Sequence, residues 1–96
     1  MDGNRKVILA VGAHTGDAQL TMGMLLAKHA QQGDKIIVVD LTAGERGCPA
    51  GTTPEEFRPH NVESARKFAR ELDGESIVFD IPDGELRDSD LEQRPV

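Results

Sequence analysis

His14 and Asp17 stand three residues apart in the stretch Gly12-Ala13-His14-Thr15-Gly16-Asp17. A neutral imidazole and a carboxylate are a frequent ligand pair in catalytic zinc sites, which take three protein ligands and keep a fourth position open. The pair also has simpler readings. Asp17 can cap the helix that follows, and a His beside a turn is commonly a surface or hydrogen-bonded polar residue. A dinucleotide is a competing ligand. Gly12 and Gly16 punctuate the turn, and Asp40 ends an apolar run, where a ribose-binding acid would sit. The turn is not G-x-G-x-x-G, however, and His14 stands where backbone should approach a pyrophosphate. No Gly-Lys-Ser or Gly-Lys-Thr occurs, so a Walker A loop is excluded.

The elements that must position these residues follow from the apolar pattern. Lys6 to Val11 is a short β-branched run closed by Gly12, which reads as a strand buried on both faces. Asp17 to Gln32 reads as a helix with Leu20, Met24, Ala27 and Ala30 on its apolar face, stopped by Gly33-Asp34. Lys35 to Leu41 is a second buried strand. The Gly- and Pro-rich segment from Thr42 to Thr53 is a loop. Thr53-Pro54-Glu55-Glu56 opens a helix, with Thr as N-cap, Pro in the first turn and Glu three residues after the cap. Pro59 is expected to interrupt that helix and open a second segment. Val62, Ala65, Ala69 and Leu72 then carry helical spacing to Asp73-Gly74, and Ser76 to Ile81 is a third strand. Asp83 to Val96 is polar and without clear periodicity.

This β-α-β-α-β order with short connections predicts an α/β, Rossmann-like parallel sheet with right-handed crossovers. Both helices then lie on one face and leave the other face bare, although the strands are apolar on both sides. Either a partner copy covers it, or residues 1–96 form the N-terminal portion of a single longer domain; the second is the expectation. Ligands of such sheets bind beyond the carboxyl ends of the strands. Three segments reach that edge, and they carry His14, Asp17, Asp40, Glu45, Arg46 and Asp83.

Composition narrows the class. Lys and Arg total 11 against 17 Asp and Glu, a net charge of −6, which argues against non-specific nucleic-acid or anionic-membrane binding. Every apolar run is far shorter than the roughly 20 residues of a membrane span. The polar start from Met1 to Lys6 is not a secretory signal. The single cysteine, Cys48, excludes an internal disulfide and a multi-Cys zinc cluster. The expectation is a cytoplasmic protein with an aliphatic core, since Trp and Tyr are absent.

Val7 to Leu20, read as VILAVGAHTGDAQL, resembles the opening strand and A-H-P-D-D-E motif of the PIG-L/LmbE-like deacetylases. Those enzymes are zinc-dependent hydrolases of N-acetylglucosamine-type sugars. The resemblance continues through Leu41-Thr42-Ala43-Gly44-Glu45, similar to the family's L-T-x-G-E loop, then Glu63, the helix ending at Leu72, and Pro82-Asp83-Gly84. It implies an LmbE-like fold, zinc or another divalent metal held by His14 and Asp17, and an N-acetylated sugar as substrate.

The departures are as informative. Gly16 falls where the family has its general base, and Thr15 replaces the Pro. The family's third ligand is a His far downstream, and neither His29 nor His60 obviously substitutes. A positioned base contributes about 10²–10⁴-fold, so another carboxylate must serve, with Asp83 and Glu45 the candidates at the strand-end edge. Otherwise the domain is a sugar- or metal-binding module without turnover; a nucleotide-binding half-domain is a third reading. The family's Arg three residues before Glu63 is His60 here, which leaves Arg58 as a shifted substrate-binding candidate beside Glu45 and Arg46.

Several residues have plain structural readings. Glu45 and Arg46 suit a solvated pair, and Asp83 suits a turn. Met22 and Met24 suit core gaps, Cys48 an incidental thiol, and Arg66, Lys67 and Arg70 a solvated helix face.

Overall fold

The computed structural model describes residues 5–85. The elements are β1 (Val7–His14), α1 (Asp17–Gln31), β2 (Lys35–Thr42), a 3-10 turn (Glu45–Gly47), α2 (Pro54–Glu71) and β3 (Glu75–Val78). The strands form one parallel sheet in the order β1-β2-β3. Val7 pairs with Lys35 and His14 with Thr42, while Asp40 pairs with Val78. The carboxyl ends of all three strands therefore meet along one edge, as the α/β reading expects.

Period-two alternation sends Ile36, Val38, Asp40 and Thr42 of β2 inward. Ala10, Ile36, Val38, Ala18, Leu26 and Leu72 make the core, with Ile8, Met22 and Phe68 packed against it. Both helices lie on that face of the sheet. On the other face Val7, Leu9, Val11 and Ile77 are exposed.

Four expectations about the elements need correction. β1 does not close at Gly12 but pairs on to His14. Glycine is there for room: a Cβ would come within 2.8 Å of Asp17 Cβ and 3.2 Å of Asp40 Oδ1. The buried residues of α1 are Ala18 and Leu26, whereas Leu20 and Met24 are 87% and 90% exposed. The face carrying Ala18, Met22, Leu26 and Ala30 meets the sheet, because the turn before Asp17 sets the rotation of the helix. Met22 fills the core as expected and Met24 does not.

Pro59 does not break α2, which runs unbroken from Pro54 to Glu71. The proline forfeits one helical hydrogen bond. The start is held by a full capping box, in which Thr53 N–H donates to Glu56 Oε1 at 2.9 Å and Glu56 N–H to Thr53 Oγ1 at 3.2 Å. The later turns bury Ala65 and Ala69. β3 ends at Val78 rather than Ile81, although Phe79 N–H still reaches Asp40 O at 2.8 Å. Beyond it the chain turns at Pro82 to Gly84. Among the described residues no helix is long and apolar enough to cross a membrane.

Candidate active site

The strand-end edge is built by three backbone devices. Thr15 Oγ1 and Asn61 Nδ2 both donate to Ala43 O, at 2.9 and 2.8 Å, which ties the β1–α1 turn and α2 to the loop after β2. Thr42 Oγ1 donates to Ala13 O at 3.0 Å, locking the last residues of β1 and β2. Gly16 takes φ 94° as the N-cap of α1. That left-handed conformation is strained for any residue with a Cβ, and it starts the helix with Asp17 in its first turn.

On this frame His14, Asp17 and Asp83 come together. Asp17 Oδ2 accepts the His14 backbone N–H at 2.9 Å and lies 3.7 Å from His14 Nδ1. Asp83 Oδ1 lies 3.2 Å from His14 Nε2. The two ring nitrogens thus face two different carboxylates. The side chains of His14 and Asp17 remain 51% and 43% exposed, so their outward lobes are open.

Glu45 joins through Asp83. Its Oε2 accepts the Asp83 N–H at 3.0 Å, and Asp83 Oδ2 accepts the Arg46 N–H at 2.9 Å. This reciprocal clasp buries both acids. Glu45 and Arg46 are therefore not the solvated pair their adjacency suggests. The cation beside Glu45 is Arg58, at 3.6 Å from Oε1. Arg46 instead reaches out toward Glu85 at 3.8 Å. Arg58 is further engaged with Asp80 at 3.1 Å and Phe79 O at 3.4 Å. Asp83 does sit in a turn, but one whose side chain is committed to the site.

Asp40 is the residue whose importance spacing understated. It is 1% exposed, and neither carboxylate oxygen has a hydrogen-bond partner. Burial, first, and the charge of Asp17, second, push its pKa up to about 6, against a smaller opposing pull from His14. The signal was present in the alternation of β2, which places position 40 inward with Ile36 and Val38. His29 and His60 lie elsewhere in function: His29 Nδ1 pairs with Asp34 Oδ2 at 2.8 Å, and His60 stacks on Phe57 with ring centroids 5.6 Å apart. Cys48 Sγ donates to Thr52 O at 3.6 Å.

One imidazole and one carboxylate suit two positions of a tetrahedral zinc or a related divalent site. Among the described residues no group of three or more His, Cys, Asp or Glu is arranged to hold a metal ion. The fit is therefore to part of a ligand set.

Comparison with known proteins bears on the same residues. The chain matches the family PIG-L: GlcNAc-PI de-N-acetylase over residues 9–95. It resembles the structure of GalB, the 4-carboxy-2-hydroxymuconate hydratase from Pseudomonas putida KT2440, with 32% identity and a TM-score of 0.76, covering 88% of this chain and 38% of that one. It also resembles the N,N'-diacetylchitobiose deacetylase from Pyrococcus horikoshii, solved with its inhibitor MPG, with a TM-score of 0.79 and 23% identity, covering 88% and 32%. The chain thus spans about a third of the length of each neighbour. No curated protein matches it. By the extent of the family match, and in the fold of the deacetylase neighbour, the chain belongs to the PIG-L family.

Proposed function

We propose that the strand-end edge is the metal-binding part of a hydrolytic site that removes acetyl groups from N-acetylated sugar conjugates. The observation that carries this reading is the open His14–Asp17 pair, backed by buried acids, in a chain of the PIG-L family. His14 and Asp17 would hold zinc or another divalent ion, with a further ligand from residues outside the described segment. A metal there would lower the pKa of a water toward about 7 and polarise the acetyl carbonyl. Glu45 suits the role of proton acceptor. One oxygen is fixed by the Asp83 N–H, and the other, Oε1, has no hydrogen-bond partner and faces only the Arg58 guanidinium at 3.6 Å among the ion pairs of the described residues. Asp83 orients the His14 ring. Arg58 holds Glu45, which leaves exposed Arg46 as the cation freer to meet a sugar. The bare sheet face would be covered by further residues of the same domain or by a second copy. The short share of either neighbour that the chain spans favours the former.

A second reading has specific support. The solved neighbour at 32% identity is a hydratase, and Gly16 lacks the carboxylate of the deacetylase motif. Water would then add across a conjugated carbon–carbon double bond of an unsaturated acid: Glu45 would take a proton from the water, the hydroxyl would bond to one carbon, and that proton would pass to the other. One assay separates the readings. The zinc-loaded protein is given an N-acetylglucosamine conjugate and, separately, a conjugated hydroxymuconate. Acetate release supports deacetylation. Loss of the diene absorbance supports hydration. Binding of either compound without turnover would identify a non-catalytic module and overturn both.

A further inference from the structure

Beneath Gly16 lies a cavity of about 110 Å³ between α1, β2 and α2, and Asp40 is its charged wall. The remaining polar lining comes from Thr15, Gln19, Asn61 and Ser64, and no Lys or Arg lines it. Gly16 is part of its lining, and a Cβ there would meet nothing within 4 Å.

A carboxylate that is 1% exposed and bonded to nothing is costly when ionised. The group whose positive charge acts on it is His14, which already faces Asp17 and Asp83. The second acid, Asp17, packs against the same face of Gly12 as Asp40 and deepens the negative potential. What fits beside Asp40 is therefore a cation. One carboxylate with neutral amide and hydroxyl oxygens is too weak a set for a divalent ion, which calls for several carboxylates or retained waters. The same set suits a single positive charge of ammonium or potassium size, and the volume admits it with accompanying water.

We infer that this cavity is a cation subsite, built on Asp40, for a small monovalent cation: a free ion or the primary ammonium of a bound ligand. It adjoins the metal-binding edge through Thr15 and Gly16, but neither His14 nor Asp17 lines it, and it does not depend on the deacetylase reading.

The test is thermal unfolding of the protein at pH 7.5 with a chelator, at constant ionic strength. Potassium, ammonium, tetramethylammonium and glucosamine are compared. Potassium or ammonium should raise Tm by roughly 4 °C or more over tetramethylammonium, which is too large to enter. A rise with glucosamine alone would identify a ligand-borne ammonium, and a rise with the ions alone a free ion. The rise should vanish in Asp40→Asn and persist in His14→Ala. Equal Tm in all four, a full response in Asp40→Asn, or loss of the response in His14→Ala would overturn the assignment. Crystals soaked in thallium(I) give a readout that needs no variant. An anomalous peak against Asp40 is expected for a free ion, and its absence together with no response to glucosamine would overturn the subsite.

Discussion

Among the described residues a histidine meets aspartate at each end of the sheet, and the two places differ in nearly everything except residue type. At the amino-terminal edge His29 Nδ1 meets Asp34 Oδ2 at 2.8 Å, Asp34 Oδ1 accepts the Lys6 N–H at 2.9 Å, and the Asp34 N–H closes α1 on His29 O at 3.0 Å. The Asp34 side chain is 5% exposed and both oxygens are used. At the carboxyl edge His14 Nδ1 and Asp17 Oδ2 stand 3.7 Å apart and half exposed. The first pair has spent its capacity on holding a helix end to a strand. The second has donors held in place by backbone bonds yet still open. Chemistry is left where hydrogen bonding is left unfinished.

The largest effect that can break this comparison is catalytic. Glu45→Gln keeps the bond from the Asp83 N–H but removes the proton acceptor that the proposed function assigns. Turnover should fall by about 10²–10⁴-fold with the metal retained, whereas Asp34→Asn at the other end should leave it unchanged. Steady-state rates with parallel metal analysis read both. A Glu45→Gln enzyme of normal rate would move the base to Asp83.

A stability effect comes next. The pKa of Asp40 is raised in the folded state, so the fold holds its proton more tightly than the unfolded chain does. Stability contributed this way is present at low pH and is lost as pH rises through about 6. Asp40→Asn should be more stable than wild type above pH 7, by about 2 kcal/mol, in a tetramethylammonium buffer with chelator. The advantage should disappear below pH 4. Urea melts at the two pH values decide it, and a pH-independent difference would mean that Asp40 is neutralised in some other way.

The smallest effect belongs to the closed pair. Its bond to His29, and then the Lys6 N–H, hold the Asp34 carboxyl below the usual carboxylate range. That contribution is present at neutral pH and is lost as pH falls through the depressed folded-state value. His29→Ala should therefore lower Tm modestly at pH 7, with the gap to wild type closing in strong acid. A gap that widens in acid would contradict this.

Much of this was legible in the residues, and the failures share a cause. The parallel order, the capping box at Thr53 and the edge that gathers His14, Asp17, Glu45 and Asp83 follow from local pattern. Leu20 and Met24 misled because apolar spacing gives a helix a face without saying which face meets the sheet. Pro59 misled because a proline rule prices one lost bond and not the cap and burial around it. Glu45 was paired with its neighbour Arg46, while its partners, Arg58 and Asp83, come from elements far along the chain. Asp40 stands in plain alternation on β2, yet only packing shows that nothing answers its charge. The spacing of His14 and Asp17 admits a zinc pair as one reading among several, while the sugar rests on the resemblance alone.

The central claim, that the open pair and not the closed one is the metal site, is tested most directly by zinc affinity. Competition titrations against a chromophoric chelator would compare wild type, His14→Ala and His29→Ala at one pH. The account predicts that His14→Ala weakens zinc binding by roughly 100-fold or more, while His29→Ala binds as wild type does. Equal affinity in wild type and His14→Ala would contradict it.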